Sequence, residues 1–411
     1  MKVLHVIPSV SPLRGGPSTV LRSMAAGLAL AGVETHVVCT NDDGENTSQV
    51  RCGEPIVEDG VTYRYFPRQI KFYTVSMPLA MWLARSVHQY DILHIHSLFS
   101  FPTSVAAFWA GRRNRPYVLR PLGSLCQWGL ERRRPLLKRA SLSFLEHWII
   151  AGAAALHYAT KHEQYEAEKI QVGKLALVIA DVLVIPNALT EGIVPEDTPR
   201  PLEKAGPLRV TTVCRFDPVK GLDLLLEAMA MLKRRHFEFK LILVGDGETT
   251  FVDKLKNQAA RLGVANDIIW TGYLTGEKKL AVLGQSDIFV LPSHFESFGI
   301  AVVEAMRSGV PVVVSENVGL KYEITAGEAG IVVPLSAQGL ARGIADLLTN
   351  PPLRERLGAN ARLVAKQFSI GKITPQIIDM YNAILARHPG GTPSDSVESR
   401  RDSKNAPVSA L

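Results

Sequence analysis

Short runs of apolar and β-branched residues alternate with segments of helical periodicity through the first half of the chain. The first run, "KVLHVIP", leads into a Gly-rich turn, after which apolar residues from Val20 to Leu28 recur at helical spacing as far as Gly32. The runs "THVVCT", "DILHIH" and "PYVLR" are predicted strands, and another is predicted over residues 182–186. Strands that alternate with helices in this way are typical of a parallel, doubly wound α/β sheet.

The same alternation restarts after a segment without apolar periodicity. Residues 187–207 are rich in proline, glycine and acidic residues, which predicts a linker. Beyond it lie the predicted helix "GLDLLLEAMAMLKRR" and the predicted strands "LRVTTVCRF", "FKLILVGDG", "DIIWTGYL", "SDIFVLPS" and "VPVVVSE". We therefore expect two Rossmann-like domains, residues 1–186 and residues 208–372. Residues 389–411 lack apolar content and are predicted to be disordered.

Composition narrows the class of protein. The chain has 411 residues, of which 46% are hydrophobic and 21% charged, as in soluble globular proteins. Its four cysteines lie far apart without a CxxC pair, which indicates neither a zinc site nor a disulfide framework and fits a reducing cytosol. The first apolar run breaks at Pro8, which predicts a strand and not a secretion signal. Because no apolar run approaches the ~20 residues that span a bilayer, we expect a cytoplasmic protein.

The net charge of +7 is concentrated in one region. Residues 112–139 contain nine Arg or Lys and one acid, Glu131, a local charge of +8. No nucleic-acid-binding motif accompanies them, so we expect no nucleic acid as partner and favour an anionic membrane surface or a phosphorylated acceptor. Leu137, Phe144 and Trp148 recur near helical spacing beside these cations, which predicts an interfacial helix in peripheral contact with the inner face of a membrane. A core-packed helix with a solvated basic side is the alternative.

Two glutamates stand in an otherwise apolar segment, "HFESFGIAVVEAMRSGVPVVVSE". Glu296 follows the carboxyl end of a predicted strand, and Glu304 lies within the next predicted helix. Ligands of doubly wound sheets bind at such strand ends, where helix N-termini favour anions such as a diphosphate. Eight residues of a helix turn through about 800°, so the two carboxylates would face different parts of one ligand. Alternatively, both are solvated surface acids.

The segment "CRFDPVKG" places Arg215 and Lys220 in a loop between a strand and a helix, where Gly221 eases the turn. Arginine offers a planar fork of donors and lysine a mobile point charge, which together suit the two phosphates of a nucleotide diphosphate. Two solvated surface cations are the alternative.

The N-terminal half offers weaker candidates. In "PLRGGPSTV", Gly15 and Gly16 permit close approach of a ligand to the backbone, or form only a tight turn. His94 and His96 share one face of the strand "DILHIH" without a third ligand nearby, so no metal site is predicted. His96 is either an acceptor-binding residue or a packed core histidine. A capping box in "ATKHEQ" is predicted to be structural.

These motifs resemble those of the retaining glycosyltransferases of the GT-B fold, in the family-4 group that includes mannosyl- and glucosyltransferases of cell-surface polysaccharide assembly. "RFDPVKG" is similar to the family's G-R-x4-K-G, and "ESFGIAVVEAMRSGVPVV" to its E-x7-E motif with the following Gly-x-Pro-Val-Val. "VGDGE" precedes the second motif, and "PLRGGPSTV" matches the family's glycine-rich first loop. The resemblance covers most of residues 1–388.

The resemblance implies two domains that face each other across a cleft, with the last helix, residues 373–388, crossing back to the N-terminal domain. The donor would bind to the C-terminal domain and the acceptor to the N-terminal domain, near Gly15, Gly16, His96 and Arg120. We expect Arg120 to support the acceptor or the leaving phosphate.

The resemblance also implies roles for the donor-site residues. Arg215 and Lys220 would neutralise the donor diphosphate, Glu304 would accept hydrogen bonds from the ribose, and Glu296 would face the donor sugar. Backbone N–H groups of Phe298, Gly299 and Ile300 would complete the contacts. Arg215, Lys220 and Glu296 are thus the expected catalytic residues.

Three residues depart from the family pattern. Cys214 and Ala188 stand where the family usually has glycine, which implies a local backbone adjustment near the donor cleft. Leu122 occupies a position that in many relatives is a histidine near the reacting sugar. The chain therefore offers no clear side-chain catalyst in its N-terminal domain.

The expected reaction moves a hexosyl group from a nucleotide diphosphate sugar to a hydroxyl of a glycan or lipid-linked acceptor, with retention. No DxD pair follows a strand, so we expect no metal and no cofactor beyond the co-substrate. One alternative is a nucleotide-sugar epimerase or phosphorylase on the same fold. Another is a non-catalytic nucleotide-sugar-binding partner.

Overall fold

The computed structural model describes residues 1–44, 46–132, 135–170, 176–178 and 206–388. These residues form two helix-flanked, mainly parallel sheets, one from each half of the chain. The strand predicted over residues 182–186, Ala188, almost all of the predicted linker and the predicted disordered tail lie outside the described residues. The domain boundaries therefore stay predictions.

The N-terminal sheet has eight strands, and a separate short hairpin adds two more. The strands are Lys2–Val6 (β1), Glu34–Thr40 (β2), Asp42–Asp43 (β3), Asn46–Thr47 (β4), Pro55–Glu58 (β5), Val61–Phe66 (β6), Ile92–His96 (β7), Tyr117–Arg120 (β8), Ala155–Tyr158 (β9) and Ala176–Val178 (β10). The order in the large sheet is β10-β9-β8-β7-β1-β2-β6-β5, and among the described strand pairs of this sheet only β5–β6 is antiparallel. The helices of this half are Gly16–Leu30 (α1), Met77–Ser86 (α2), Phe101–Arg112 (α3), Gln127–Arg132 (α4), Pro135–Ser141 (α5), His147–Gly152 (α6) and Lys161–Glu168 (α7).

The C-terminal sheet is fully parallel. Its strands are Leu208–Val213 (β11), Phe239–Val244 (β12), Ile268–Gly272 (β13), Ile288–Leu291 (β14), Val312–Ser315 (β15) and Gly330–Val333 (β16). The helices are Leu222–Arg234 (α8), Thr249–Arg261 (α9), Gly276–Gly284 (α10), Ile300–Arg307 (α11), Lys321–Ala326 (α12), Ala337–Thr349 (α13), Pro351–Lys366 (α14) and Ile370–Ala386 (α15). The strand order β13-β12-β11-β14-β15-β16 is that of a Rossmann sheet.

The apolar patterns explain these elements. Every residue of β14 and β15 is buried, as expected of central parallel strands covered on both faces. In α8, residues at helical spacing such as Leu222, Leu225 and Met229 are buried in the core beneath the sheet. Among the described residues, no helix combines the length and apolarity needed to cross a membrane.

The last helix returns to the N-terminal half of the molecule. Ile377 and Ile384 of α15 pack in one core cluster with Met24 and Leu28 of α1. The Tyr381 hydroxyl is 2.6 Å from Nδ1 of His94, on β7 of the N-terminal sheet. The chain thus crosses from one sheet to the other twice.

The strand order of each sheet creates a crevice at one place. In the C-terminal sheet the order reverses between β11 and β14, and in the N-terminal sheet between β1 and β7. Loops that leave two such neighbouring strands at their carboxyl ends diverge, and ligands of doubly wound sheets bind between them. The two glutamates, Arg215, Lys220 and the Gly15–Gly16 pair all follow these strands.

Candidate functional site

The loop after β11 fixes the position of Lys220. Residues Pro218–Lys220 form a single 3₁₀ turn, begun by the Asp217 side chain, which accepts a hydrogen bond of 3.1 Å from the backbone N–H of Val219. Gly221 follows with a φ of 63°, and a Cβ at this residue would lie 2.1 Å from the carbonyl oxygen of Pro292. Only glycine fits there, and it brings Lys220 against the loop that follows β14.

An ion pair joins the two loops of the crevice. The ammonium of Lys220 donates to Oε2 of Glu296, and the two side chains are 17% and 20% exposed. Burial acts to lower the pKa of Lys220, but the charge of Glu296, its hydrogen bond to Lys220 and the nearby Cys214 together outweigh burial, and the pKa is raised. Arg215 lies beside them, 57% exposed, and donates to Asp217 over 3.2 Å. Two cationic side chains therefore flank the crevice.

Glu304 has a lysine partner as well. Lys279 of α10 donates to Oε1 of Glu304 over 2.6 Å, and the Glu304 side chain is only 13% exposed. Neither Glu296 nor Glu304 is the freely solvated acid of the alternative interpretation. Sequence analysis did not identify Lys279, because nothing in the α10 pattern distinguishes it from the neighbouring Lys278.

The N-terminus of α11 lies between the two glutamates. Gly299 begins this helix with a φ of 101°, and Phe298 before it is 2% exposed and packs edge-on against Phe368, with ring centroids 5.4 Å apart. The first N–H groups of a helix have no intrahelical acceptor and attract anions. Ile300 and its neighbours can thus donate to a phosphate or a sugar oxygen.

The glycine-rich loop after β1 faces this helix from the other half of the molecule. Gly15 has a φ of 69°, and Gly16 begins α1. A Cβ at Gly16 would lie 3.2 Å from Cδ1 of Ile300. The N-terminal ends of α1 and α11 therefore meet across the cleft, as the glycine pair allows.

A second set of contacts between the halves was missed by sequence analysis. The Thr160 hydroxyl, the N-cap of α7, donates to the carbonyl of Ser297 over 2.8 Å. Glu163, whose pKa is raised by burial, accepts hydrogen bonds from the backbone N–H groups of Ala159 and Gly123 over 2.7 and 2.5 Å. The predicted capping box is thus partly formed, because Thr160 caps Glu163 while Glu163 reaches Ala159. Through its bond to the N–H of Gly123, Glu163 also holds the loop after β8 beside the donor site.

The structure does not place His96 or Arg120 on the cleft surface. Their exposed fractions are 0% and 1%, because both side chains project from β7 and β8 into the core that α15 covers. His96 is therefore a packed histidine, and the Arg120 side chain is buried away from the cleft surface.

A third histidine lies beside the pair on β7, contrary to the sequence-based expectation. Nδ1 of His5, on β1, is 3.0 Å from Nε2 of His96, and ligand atoms of His5, His94 and His96 lie within 4.8 Å of one another. Burial and then the charge of Arg120 lower the pKa of His5 to about 3. Neutral imidazoles are metal ligands, but the neighbouring guanidinium disfavours a bound cation. We therefore assign these residues to the core.

The described residues of the predicted basic region do not form one surface. Arg113 and Arg115 follow α3 at the amino end of β8, where they donate to the carbonyls of Ala84 and His88 over 3.2 and 2.7 Å. Helix α5 lies instead on the side of the carboxyl strand ends, and residues 133 and 134 lie outside the described residues.

The predicted interfacial residues are nonetheless exposed. Exposed fractions are 58% for Leu137, 81% for Phe144 and 46% for Trp148. They lie along α5, a π-helical turn over residues 142–146, and α6. The alternative of a core-packed helix is therefore wrong for these three side chains.

Two family models match the chain in succession. Residues 15–188 match the family described as "Glycosyl transferase 4-like domain", and residues 194–364 match "Glycosyl transferases group 1". Among curated proteins, the glycogen synthase of Mycobacterium tuberculosis is 32% identical over 185 residues. That match spans 45% of this chain and 44% of that protein, less than half of either.

Solved structures resemble nearly the whole chain. Sucrose-phosphate synthase from Thermosynechococcus elongatus has a TM-score of 0.74 at 19% identity, over 94% of this chain and all of that one. HepE of Anabaena, solved in complex with UDP-glucose, has a TM-score of 0.72 at 22% identity, over 93% of this chain and all of that one. The predicted GT-B fold is confirmed. The chain thus has the GT-B fold, and each of its halves matches the family model of a glycosyltransferase domain.

Proposed function

We propose that the protein is a retaining hexosyltransferase that uses a nucleotide diphosphate sugar and needs no metal ion. The observation that carries the proposal is the Lys220–Glu296 pair, which joins the two loops of the crevice in the C-terminal sheet. Such a crevice suits a dinucleotide-like ligand. The cations and the α11 N-terminus supply the fixed positive charge that a departing diphosphate needs.

Each charged residue has a proposed part in the reaction. Lys220 and Arg215 stabilise the diphosphate as the bond to the sugar breaks. Glu296 holds the donor sugar and stabilises the positive charge that develops on its ring. Glu304 accepts hydrogen bonds from the ribose, and Lys279, which bonds to Glu304, orients that carboxylate.

The donor, the acceptor and the location of the protein are part of the same proposal. HepE, which shares the fold, was solved with UDP-glucose, and this supports a nucleotide-sugar donor here. We propose a glycan or lipid-linked acceptor, a role in cell-surface or exopolysaccharide synthesis, and a cytoplasmic protein in peripheral contact with the membrane. The exposed apolar residues along α5 and α6 support the last point.

Two competing functions make different predictions. A nucleotide-sugar epimerase would alter the donor without an acceptor, and a non-catalytic binding partner would bind the donor without turnover. The lysine-paired carboxylates favour transfer, since they provide for both the leaving group and the sugar.

The first experiment is a thermal-shift panel of UDP, GDP, ADP and their sugars with the purified protein. A ligand at ~100 times its dissociation constant adds about 2.7 kcal/mol to the stability of the folded state. Turnover of the stabilising sugar nucleotide is then followed with and without a membrane extract as acceptor. Acceptor-dependent release of nucleoside diphosphate supports the proposal. Conversion without acceptor, or binding without turnover, contradicts it.

A further inference from the structure

A large apolar pocket lies on the N-terminal half of the molecule, outside the donor crevice. Its volume is about 990 Å³, and its apolar wall is formed by Phe72, Tyr73, Phe99, Leu137 and Leu145. Pockets that hold small molecules measure roughly 300–1,000 Å³, so this one is at the upper end of that range. None of these residues belongs to the donor site described above.

The backbone around the pocket is held in unusual conformations. Tyr73 and Phe99 have φ values of 60° and 55°, which side chains of this size rarely adopt. Both are fixed by the fully buried carboxylate of Glu146, whose Oε1 accepts from the Tyr73 hydroxyl over 2.6 Å and from the Phe99 N–H over 3.2 Å. Glu146 ends the π-helical turn over residues 142–146. Strained backbone and π-helical turns cluster at functional sites.

The pocket also carries positive charge. Lys71 and Lys138 are part of its lining, and Arg139 next to it is exposed. The Lys138 ammonium lies 5.6 Å from the centroid of the Phe99 ring, at the boundary between the apolar wall and the cations. Apolar walls beside cations complement a hydrocarbon chain that ends in an anionic group. A phosphate-bearing lipid has this chemistry.

The pocket is connected to the donor loop through one short helix. Lys138 donates a hydrogen bond to the carbonyl of Gly129 in α4. Trp128, the residue before it, stacks on His294 with ring centroids 4.5 Å apart. His294 stands two residues before Glu296, and the six residues of α4 span about 9 Å. The pocket and the donor loop are therefore linked through contacts of two adjacent residues of α4, Trp128 and Gly129.

We propose that this pocket binds the hydrocarbon chain of a phosphate-bearing lipid acceptor, with the phosphate at Lys71 and Lys138. The inference rests on the proposed glycosyl transfer and selects the lipid-linked acceptor over a free glycan. A hydroxyl oxygen of the acceptor bonds to the anomeric carbon of the donor sugar. The bond from that carbon to the diphosphate oxygen breaks, its electron pair stays on the diphosphate, and the hydroxyl proton passes to the departing diphosphate.

The exposed apolar residues beside the pocket explain how such a lipid would be reached. Leu136, Phe144 and Trp148 are 80%, 81% and 46% exposed along α5, the π-helical turn and α6. Exposed apolar side chains grouped in this way mark surfaces that contact a protein or a membrane. We assign them to the membrane surface, and the pocket to one lipid molecule taken from it.

Binding of alkyl phosphates tests the pocket directly. The probes are dodecyl phosphate below its micelle concentration, butyl phosphate and inorganic phosphate, each measured by calorimetry on the full chain. We expect dodecyl phosphate to bind at least tenfold more tightly than butyl phosphate. The variant Leu137→Gln with Leu145→Gln should lose at least tenfold in dodecyl phosphate affinity. The matched control is Leu136→Gln, which changes a more exposed leucine outside the lining.

Three outcomes overturn the inference. They are equal affinity for the two alkyl phosphates, an equal loss in Leu136→Gln and in the pocket variant, and flotation with anionic vesicles without binding of dodecyl phosphate. The last two would show a membrane-contact surface and no lipid pocket. Binding of the donor nucleotide, measured on the same samples, separates this result from the proposed function: retained nucleotide binding with no alkyl phosphate binding rejects only the lipid pocket.

Discussion

Replacing Lys220 with alanine should weaken binding of the donor nucleoside diphosphate. A hydrogen bond to a charged group contributes roughly 1.5–3 kcal/mol, which corresponds to about 10- to 150-fold in the dissociation constant. Two features of the structure favour the upper part of that range. The Lys220 side chain is only 17% exposed, which limits screening by solvent, and its removal leaves Glu296 without its cation. The uncompensated carboxylate would then repel the diphosphate.

The assay is isothermal titration calorimetry with the nucleoside diphosphate that stabilises the protein most. Lys233→Ala is the matched control. It also removes a lysine from an ion pair, with Asp267 at 2.7 Å, but lies at the amino ends of the strands, away from the crevice. We expect this control to bind as the unchanged protein does.

A double variant separates the lost attraction from the new repulsion. Lys220→Ala with Glu296→Gln removes both charges of the pair, so it should recover part of the affinity that Lys220→Ala alone loses, since neighbouring residues are not additive. Unchanged affinity in Lys220→Ala, or an equal loss in Lys233→Ala, would refute the assignment of Lys220 to the diphosphate.

Three further predictions concern the reaction and the core. Glu304→Gln should chiefly raise the donor KM, since the ribose is held equally in ground and transition states, whereas Glu296→Gln should chiefly lower kcat; indistinguishable kinetics in two folded variants would show that the division of roles is wrong. Activity should survive EDTA, because Arg215 and Lys220 supply the positive charge; activity lost in EDTA and restored by manganese or magnesium would contradict this. Burial lowers the pKa of His5 from 6.5 to about 3, so below pH 6.5 the unfolded chain binds a proton at His5 that the folded protein does not bind. The contribution of His5 to the free energy of unfolding is therefore full above pH 6.5 and declines by about 1.4 kcal/mol per pH unit below it. Urea denaturation from pH 7 to pH 5 should therefore show a smaller decline for His5→Asn than for the unchanged chain, and equal declines would rule this out.

The pattern of apolar residues predicted much of the fold, because apolar runs and periodic apolar positions correspond directly to buried strands and buried helix faces. The continuous apolar runs of β14 and β15 and the periodic leucines of α8 became buried elements close to the predicted positions. Strand β6, "VTYRYF", was not predicted, although the Asp59-Gly60 turn before it, with φ values of 51° and 76°, is a typical hairpin signal. Strand β16, "GIVV", was not predicted either; it is as long as β14 and β15, but three of its four residues are only partly buried.

The candidate site was predictable where its residues stand in motifs of fixed spacing, and not where a residue outside such a motif supplies a contact. Arg215, Lys220 and Glu296 stand in motifs of fixed spacing, and the structure brings Lys220 and Glu296 together. The partner of Glu304, by contrast, comes from a separate helix 25 residues away in sequence. The contact of Thr160 with Ser297 spans 137 residues. The spacing of apolar residues along the chain contains no information about contacts between segments that are distant in sequence.

Burial also explains why the N-terminal candidates were less well predicted. His96 and Arg120 look like site residues in the sequence because polar side chains at strand ends usually face a crevice. Their strands instead point these side chains toward α15, a helix that follows the whole C-terminal sheet in sequence and packs in the N-terminal core. A helix added from the far end of the chain cannot be foreseen from the strand's own pattern.

The measurement that tests glycosyl transfer most directly is proton NMR of the purified protein with its sugar nucleotide, recorded with and without acceptor. We predict that nucleoside diphosphate and a new glycoside accumulate in equal amounts, only when acceptor is present, and that the glycoside has the anomeric configuration of the donor. An inverted glycoside would contradict retention. An isomerised sugar nucleotide formed without acceptor, or a donor that stays intact although it binds, would contradict the transfer itself.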